Sequence, residues 1–428
     1  NIILIYKNMS YSAGSMKTEY LDPVAFTPNQ RARFELDSRK MAYLPNMRLL
    51  NLGCDNGTGA IQYNRGLGTT NLIKNCRLLD GRQEISAMRN VAPYAFFKNM
   101  NRSNDINKSN DSYFKRNDLG YEINGVDNKV EHVYSSGTSN TAASDLTDTG
   151  YQDLRELLPA LNALPVLPSE TFKNLILEIE FDSSALNQVV VTNNAVLTML
   201  RPVLAVDYVD DARVAAPLVE MLTRGVSWNE IEWDNFGIPA VDTSGFQPGD
   251  TATQSKTNSS LGFRGKALSR LLIQKQFVDK GKEVNTNAVQ GFGAVVSSQA
   301  LLGEQTQINL NGKPIFPGVS GVTGSNEMLG VLVDAYEELQ CFPGSNLYKW
   351  TKSGNLTSTD LTPARGQAAW SCVEVGARVA DLQVSITRTN NRDSNNRDAT
   401  NAQLQINLYG EVLKVITFQN GGYSIIYA

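Results

Sequence analysis

Histidine is almost absent from this sequence: His132 is its single copy in 428 residues. Zinc sites built on histidine, and the Ser–His or Cys–His pairs that activate a nucleophile, need this side chain. His132 lies in the polar stretch DNKVEHVYSSG, which is typical of a surface loop. We therefore predict no catalytic residue, no metal ligand and no cofactor-binding residue, and we expect that the protein is not an enzyme.

Cysteine is scarce as well, and no two copies form a C-x-x-C pair. A secreted domain held together by disulfides usually carries more cysteines per residue. We interpret all of them as buried or incidental thiols of a reducing compartment. The four cysteines are Cys54, Cys76, Cys341 and Cys372.

The chain also lacks a long apolar run and an excess of positive charge. A membrane-spanning helix needs roughly 20 apolar residues, and no segment approaches that length. The opening NIILIYKN is too short for a signal peptide, so we expect either upstream sequence ahead of a natural start at Met9 or an apolar arm that docks on a neighbour. The formal net charge of −4 gives no support for direct binding to nucleic acid.

Motifs of the common enzyme classes are missing too, including the phosphate-binding loop, H-E-x-x-H, G-x-S-x-G and the EF-hand loop. Glu178 and Glu180 lie on one strand face opposite an apolar face, which favours a solvated surface over a glycosidase-like pair. Asp210 and Asp211 indicate a turn, and RDSNNRD indicates a solvated loop. Core or interface packing is more common than sugar stacking for the four tryptophans, Trp228, Trp233, Trp350 and Trp370.

What the sequence does contain is a succession of short strand-like segments. MRLLNL alternates apolar and polar residues, and FKNLILEIEF places its apolar side chains on one face. AVLTMLRPVLAVDYV is apolar on both faces, as in a deeply buried strand. Asp80-Gly81 and Asn311-Gly312 each separate two such segments, which predicts two hairpins. In the segment VSWNEIEWDNFGI, the large apolar residues Trp228, Ile231 and Trp233 are predicted to lie in a core between sheets.

Helices are predicted to be few and short. VAPYAFFKNMN indicates a helix that begins after Pro93, YQDLRELLPALNAL has near-helical spacing, and DDARVAAPLVEMLTRG indicates a helical turn between the halves. The clearest helix is NEMLGVLVDAYEELQCF, capped by Ser325. Two polar stretches, residues 99–150 and 239–260, are predicted to be loops. For residues 99–150 we favour a solvated surface loop over an insertion that lies on the outer face of an assembly or clasps a neighbouring subunit.

The two halves of the chain have parts of the same kind in the same order. Dense β segments at residues 171–211 and 401–428 close the first and second half. GFRGKALSRLLIQKQFVDKGKEVNTNAVQ takes the place in the second half that LGTTNLIKNCRLLDGRQE takes in the first. We predict an N-terminal arm over residues 1–30, a first domain over 31–211, a linker over 212–225 and a second domain over 226–428.

The order of these parts resembles the double jelly-roll major capsid proteins of double-stranded DNA viruses, and most closely those of polinton-like viruses and virophages. The resemblance covers most of residues 30–428. It rests on GTTNLIKNCRLLDGRQEISAMRN, on ETFKNLILEIEFDSS with NNAVLTMLRPVLAVDYVDD, and on EQTQINLNGKPIFPG followed by NEMLGVLVDAYEEL. The fold that it implies is all-β, with two tandem eight-stranded jelly-roll β-sandwiches and short helices in the connecting loops.

The resemblance implies a structural capsid protein of the virion, assembled inside the infected host cell. Such a chain forms a homotrimer, a pseudo-hexameric capsomer that tiles an icosahedral shell. The implied partners are neighbouring capsomers, penton and minor capsid proteins, with an internal membrane as a further candidate. No cofactor and no sequence-specific nucleic-acid binding are expected.

Three other interpretations are compatible with the sequence. The first is a secreted or cell-surface carbohydrate-binding protein made of two β-sandwiches. The second is a β-rich glycoside hydrolase, which needs two convergent carboxylates. The third keeps the capsid lineage but makes the chain a minor capsid protein.

Overall fold

β-strands make up most of the chain that the computed structural model describes. The described residues are 16–55, 61–62, 69–95, 149–182, 190–191, 198–223, 225–242, 253–259, 262–278, 304–316, 370–389, 403–419 and 421–427. They form two successive β-sandwiches, the first sandwich (residues 16–209) and the second sandwich (residues 227–427). The predicted all-β class is confirmed.

The first sandwich consists of a larger and a smaller sheet. Its strands are β1 (Met16–Leu21), β2 (Ala25–Thr27), β3 (Arg31–Glu35), β4 (Ala42–Asp55), β5 (Ile61–Gln62), β6 (Ile73–Asp80), β7 (Gln83–Arg89), β8 (Thr149–Asp153), β9 (Leu167–Pro168), β10 (Leu175–Phe181), β11 (Val190–Val191), β12 (Thr198–Met199) and β13 (Val203–Val209). The larger sheet has the order β1-β13-β4-β12, with β8 and β9 also paired to β4, and the smaller sheet has the order β2-β3-β10-β6-β7.

The second sandwich repeats this arrangement. Its strands are β14 (Ser227–Asp242), β15 (Thr253–Ser259), β16 (Ala267–Val278), β17 (Glu304–Leu310), β18 (Lys313–Phe316), β19 (Trp370–Arg378), β20 (Leu382–Thr389), β21 (Gln403–Gln419) and β22 (Gly422–Tyr427). The larger sheet has the order β14-β21-β16-β19, with β22 paired to β21, and the smaller sheet has the order β15-β20-β17-β18. Two four-stranded sheets with strands that cross between them define a jelly roll.

The repeat fixes which strands correspond. In the larger sheets, β1-β13-β4 corresponds to β14-β21-β16, and in the smaller sheets, β3-β10-β6-β7 corresponds to β15-β20-β17-β18. The predicted match between the segment containing β16 and the segment containing β6 is therefore wrong, because the counterpart of β6 is β17. The segment at residues 401–428 likewise matches only the β13 part of residues 171–211, since the counterpart of β10 is β20.

Both predicted hairpins are confirmed, and they share a defect in their pairing. In β6–β7, Leu78 faces Ser86 and Leu79 faces Glu84, so Ile85 is left out of the ladder. In β17–β18, Ile308 faces Phe316 and Asn309 faces Pro314, and Ile315 is left out. An extra residue in one strand is a β-bulge, which bends and twists that strand. The two bulges occupy the same position in the two sandwiches.

The connecting turns of these hairpins use backbone conformations that favour glycine and asparagine. Gly81 has a φ of 60°, Asn311 a φ of 51° and Gly312 a φ of 78°. Two consecutive positive φ angles characterise the type I′ turn, whose twist matches that of the flanking strands. The Asn-Gly pair therefore determines the turn geometry in the second sandwich.

The apolar core lies between the sheets of each sandwich. Along β10, Leu175, Leu177, Ile179 and Phe181 are all buried, as the alternation predicts. Strand β13 is buried on both faces, which confirms the prediction from its continuous apolar run. Cys54 and Cys76 lie in this core, and burial raises the pKa of both thiols to about 12.

Helices are short in the described part of the chain. They are 3₁₀ turns at Thr69–Leu72 and Leu154–Glu156, a helical turn over residues 91–95, α1 (Ala160–Ala163) and α2 (Ala212–Thr223). The helix predicted after Pro93 thus begins three residues earlier, at Val91, and the near-helical stretch at 151–164 is divided among strand, 3₁₀ turn and α1. The helix predicted after Ser325 lies outside the described residues. None of the described helices is long and apolar enough to cross a membrane.

Helix α2 lies in the predicted linker, and Asp211 caps it. The Asp211 carboxylate accepts a hydrogen bond from the main-chain N–H of Arg213 at 2.9 Å. Ala215 of α2 packs with Leu44 and Val209 against the first sandwich. The interpretation of Asp210 and Asp211 as a turn missed this capping role, although Asp is a preferred N-cap residue.

Three other predictions need correction. Residues 239–260 are not a single loop, because β14 continues to Asp242 and β15 occupies Thr253–Ser259. Ile231 is exposed rather than buried in the core, while Trp228 is half-buried against it. Strands β1 and β2 lie within the predicted arm at residues 1–30 and pair with β13 and β3. Residues 16–27 are therefore part of the sheets, and the domain limits after them stay predictions.

Long connections join strand ends at one end of each sandwich. They are the β4–β6, β7–β8 and β10–β13 connections of the first sandwich and the β16–β17, β18–β19 and β20–β21 connections of the second. We name this end the long-connection end. The opposite end has the β6–β7 and β17–β18 hairpins and the segment between β8 and β10 that contains α1 and β9. The predicted loop at residues 99–150 falls in the β7–β8 connection, and its residues 99–148 lie outside the described residues.

Candidate assembly interface

The two sandwiches meet along a seam, formed by β7 and its flanking residues in the first sandwich and by β14, β21 and β22 in the second. Hydrogen bonds cross it along its whole length, among them Asn90 Nδ2 to Asn407 Oδ1 at 2.9 Å, Lys414 Nζ to the Ile85 carbonyl, and Tyr423 OH to Asp80 Oδ2 at 3.1 Å. Along the seam, the residue numbers in the first sandwich fall from 90 to 80, while those in the second sandwich rise from 407 to 423. The facing chain segments therefore run in opposite directions. The sandwiches therefore stand side by side with their long-connection ends on the same side.

Aromatic side chains fill both ends of the seam. Phe172 of the first sandwich lies edge-on to Phe418 of the second, with ring centroids 5.8 Å apart, and 4.7 Å from the ring of Tyr423. Towards the long-connection end, the rings of Tyr94 and Tyr409 are 5.6 Å apart. Buried aromatic pairs of this kind each add to the stability of a contact beyond the area that they bury. The seam is therefore packed like a domain core.

Tyrosine hydroxyls add directional contacts to this packing. The Tyr409 hydroxyl donates to the carbonyl of Asn90 at 2.8 Å. Burial raises the pKa of the Tyr409 phenol well above its ordinary value, and burial together with the Asp80 carboxylate raises the pKa of Tyr423. Both phenols thus stay protonated at neutral pH and act as hydrogen-bond donors across the seam.

Lys414 is the most unusual residue of the seam, because its side chain is fully buried. Its ammonium lies 3.2 Å from Oε1 of Glu230, whose side chain is 1% exposed. It also donates to the carbonyl of Ile85, the bulge residue of β7, and lies 5.7 Å from the ring centroid of Tyr427. Removing two charges from water is costly unless they pair and form hydrogen bonds. The first sandwich thus supplies one of the contacts that make this burial possible.

Each larger sheet also carries a cross-strand ion pair between an acid and an arginine. In the first sandwich, Asp207 of β13 accepts hydrogen bonds from Arg48 of β4 at 3.0 Å, from Thr18 at 2.6 Å and from Asn46 at 2.6 Å. In the second sandwich, Oε2 of Glu411 of β21 lies 2.6 Å from Nε of Arg270 of β16. The two pairs occupy corresponding strands of the two larger sheets.

Several large apolar side chains are exposed on the larger sheets. On β1 of the first sandwich, Met16 and Tyr20 are exposed, and Tyr20 is 67% accessible. On the second sandwich, Ile231 faces Leu413 across β14–β21, and Ile426 of β22 is 57% accessible. Contiguous exposed apolar surface is typical of sites for protein contact.

The acidic pair considered in the sequence lies on the outside of the smaller sheet of the first sandwich. Glu178 forms an ion pair with Arg77, and Oε1 of Glu180 lies 3.2 Å from Nζ of Lys74. These cross-strand pairs connect β10 to β6, which agrees with the interpretation of a solvated strand surface. No group of three or more His, Cys, Asp or Glu side chains that suits a metal ion occurs among the described residues. The absence of a catalytic site stays a prediction.

Sequence reasoning missed the residues that form the seam. Asn90 and Asn407 are separated by 317 positions, so no local pattern brings them together. Lys414 did have a signal, since it interrupts the apolar alternation of VLKVIT at a position that faces inward. A charged residue on the buried face of a strand indicates a partner, although it does not identify one.

Comparison with known proteins shows the fold. No family profile matches the sequence, and no curated protein sequence matches it. Among solved structures, PBCV-1 VP54, as fitted into a cryo-EM reconstruction of the virophage Sputnik, is similar with a TM-score of 0.52 and 13% identity, over 99% of this chain and 100% of that one. A chain of the Sputnik virophage structure has a TM-score of 0.53 and 9% identity, over 96% of this chain and 88% of that one. The chain therefore has the double jelly-roll fold of these viral proteins.

Proposed function

We propose that this protein is the major capsid protein of a double-stranded DNA virus and that its work is to build an icosahedral shell. The observation that carries the proposal is the likeness, over nearly the whole chain, to double jelly-roll chains of virus particles. The role is structural rather than catalytic. A fold alone hosts many functions, so the geometry of the chain has to support the same conclusion.

The arrangement of the two sandwiches fits a building block. Their seam combines aromatic packing with a buried ion pair, so the two units are held in one relative orientation. Their long-connection ends lie on the same side, which gives the subunit two different ends. A shell needs this polarity, because each block must present one end outward and the other inward.

The proposed assembly is a homotrimer in which two upright sandwiches per chain give six similar positions around a ring. Such a capsomer tiles an icosahedral shell together with neighbouring capsomers, penton proteins and minor capsid proteins. The connections at the long-connection end, including residues 99–150, form the outer projections of the capsomer. The protein is located in the virion shell, and contact with the genome is left to other components or to an internal membrane.

The first test is the mass of the purified full chain, measured by size-exclusion chromatography with light scattering across a concentration series. The proposal expects a stable species of three times 46.9 kDa with a pseudo-hexagonal outline in negative-stain images, or closed shells. A two-lobed monomer at every concentration would contradict it. In that case binding to a glycan array would support the carbohydrate-binding interpretation.

Co-expression separates the major from the minor capsid role. Shells formed when this chain is the only capsid component expressed support the major role. Trimers that enter particles only when another shell-forming protein is present support the minor role.

A further inference from the structure

Strand β22 forms a sheet edge that lacks the usual protection against pairing with another strand. In the described part of the chain it pairs with β21 alone. Charged residues, prolines, β-bulges and very short strands normally keep an edge from accepting a further strand. β22 has the sequence GYSIIY, without charge or proline, and its ladder with β21 runs without a register shift from Gly422 to Tyr427. Its composition and regular pairing therefore suit the addition of a strand.

Every other described edge strand of more than three residues carries such protection. Each of them contains at least one charged residue, and β18 also contains Pro314 and a bulge in its ladder. These strands are β1, β7, β8, β14, β15, β18 and β19. Since the other edges of both sandwiches are protected, the absence of protection in β22 indicates that its edge has a partner strand.

The ladder between β21 and β22 identifies the main-chain groups at this edge. Gln419 and Gly422 face each other across a two-residue turn, so they form a hydrogen-bonded pair. Hydrogen-bonded and non-hydrogen-bonded pairs alternate along an antiparallel ladder, so Ser424 and Ile426 also bond to β21. The residues between them direct their N–H and C=O groups away from β21. We name the N–H groups of Tyr423 and Ile425 the outward amides.

The start of the chain has the composition that such an edge accepts. Residues 2–6 are Ile, Ile, Leu, Ile and Tyr, an apolar run without charge or proline. Isoleucine and tyrosine are among the residues enriched in strands. Short segments of high β-propensity and low charge pair readily with exposed strands. Residues 1–15 precede β1 and lie outside the described residues.

Chain geometry places residues 2–6 within reach of the second sandwich. Met16 pairs with Val209 at the end of β13. α2 follows β13 and contacts β21, the strand to which β22 is paired. The 12 residues of α2 give it a length of about 18 Å. Residues 9–15 reach about 23 Å when extended, so they are long enough to follow α2 from Met16 towards β22.

We infer that residues 2–6 add a strand to the edge of β22 in the same chain. Main-chain hydrogen bonds to Tyr423 and Ile425 hold the added strand, as in other cases of strand addition. Its apolar side chains lie beside Ile426, which is 57% accessible on β22. The added strand connects the start of the chain to the second sandwich. The inference does not depend on the proposed function, since it concerns how a single chain completes its own sheet.

The experiment compares hydrogen exchange in the full chain and in a chain that starts at Met9. Mass spectrometry with electron-transfer fragmentation resolves the amides of β22 one by one. We expect the outward amides to exchange at least about tenfold faster in the truncated chain, because they lose their hydrogen-bond partners. The amides of Ser424 and Ile426 bond to β21 in both chains, so they are internal controls and should keep their rates.

Proline substitutions repeat the test in the full-length chain. Proline has no N–H, and of two consecutive residues in an added strand one directs its N–H towards β22. The variant that combines Ile3→Pro with Leu4→Pro should therefore speed the exchange of the outward amides as the truncation does. The variant that combines Ser12→Pro with Ala13→Pro places the same change between residues 2–6 and β1. It is the matched control and should leave the exchange rates unchanged.

The remaining outcomes would overturn the inference. Equal exchange of the outward amides in the full and truncated chains would show that residues 2–6 do not pair with β22. Faster exchange of all four amides in the truncated chain would show that β22 loosens as a whole. Protection that disappears when the full chain is diluted would assign the added strand to a second copy. The proposed function stands in each case, because it is tested by the mass of the assembly.

Discussion

The ammonium of Lys414 in the second sandwich donates a hydrogen bond to the carbonyl of Ile85 in the first, at the residue that the β-bulge excludes from its ladder. A bulge leaves one residue outside the regular pairing, so the Ile85 carbonyl accepts a bond from another partner. Glu230 lies 3.2 Å from the same ammonium. The bulge in one sandwich and the buried ion pair in the other thus depend on each other.

Replacement of Lys414 by methionine is expected to destabilise the chain strongly. The change keeps an unbranched side chain, one atom shorter than that of lysine, but leaves the Glu230 carboxylate buried without its ammonium. Breaking one partner of a buried ion pair costs about 3–5 kcal/mol. The free energy of unfolding, measured by denaturant titration, gives the value.

The double variant Lys414→Met with Glu230→Leu is the control for this prediction. Because it removes both charges, we expect it to be markedly more stable than Lys414→Met alone. Equal stability of the single and double variants would contradict a direct coupling between the two side chains.

Gly410 in the middle of β21 is predicted to tolerate no side chain. A Cβ atom there would lie 2.6 Å from Cε1 of Phe263 and 2.9 Å from Cδ2 of Leu268. Overpacking of a core costs about 1–3 kcal/mol, so Gly410→Ala should lower the free energy of unfolding by that amount. Gly422→Ala is the matched control, since its nearest neighbour would be the Gln419 carbonyl at 3.7 Å. Combining Gly410→Ala with Phe263→Leu should recover part of the loss.

Asn311 is predicted to hold the β17–β18 turn against the start of β20. Its side-chain oxygen accepts hydrogen bonds from the N–H groups of Ala380 at 2.7 Å and Asp381 at 3.0 Å. Its amide donates to the carbonyl of Arg378 at 3.0 Å. Asn311→Ala should lower the free energy of unfolding by about 1 kcal/mol, the usual net contribution of a hydrogen bond to stability. Asn311→Asp keeps the accepting oxygen and should cost less, and the same loss in both variants would contradict the proposed role of that oxygen.

Cys54 and Cys76 are predicted to be unreactive in the folded chain. Burial raises the pKa of both thiols to about 12, so almost no thiolate is present at pH 8. The thiolate is the reactive form of cysteine. Iodoacetamide at pH 8 should therefore label neither residue in the native protein and both in urea, as peptide mass mapping would show. Rapid native labelling of Cys76 would contradict its placement in the core.

Local sequence patterns predicted much of the fold, because strands and turns have strong local signals. Alternation identified β10, a continuous apolar run identified β13, and the dipeptides Asp80-Gly81 and Asn311-Gly312 identified both hairpins. The prediction that both Trp228 and Ile231 lie in the core was wrong because it ignored the alternation of side chains along a strand. Residues three apart in a strand point to opposite faces, so one of the two had to face outward.

Polar composition misled the prediction for residues 239–260. β15, with the sequence TQSKTNS, has no apolar face that identifies it, and as an edge strand it pairs with β20 alone. Backbone hydrogen bonds rather than side-chain burial place such a strand, and they leave no pattern in the sequence. The seam could not be predicted from local sequence patterns either, because its hydrogen bonds join residues more than 300 positions apart.

Truncation at the N-terminus distinguishes an arm from a strand. A chain that starts at residue 25 lacks β1, so β13 loses a neighbour to which it is paired from Met16 to Leu21, and Asp207 loses the hydroxyl of Thr18. We expect this truncation to lower the melting temperature, because β13 loses the backbone pairing with β1. A chain that starts at residue 16 keeps β1 and is the matched control for the loss of residues 1–15. Equal melting temperatures for the two truncations would show that β1 contributes nothing to the first sandwich, as expected of an arm.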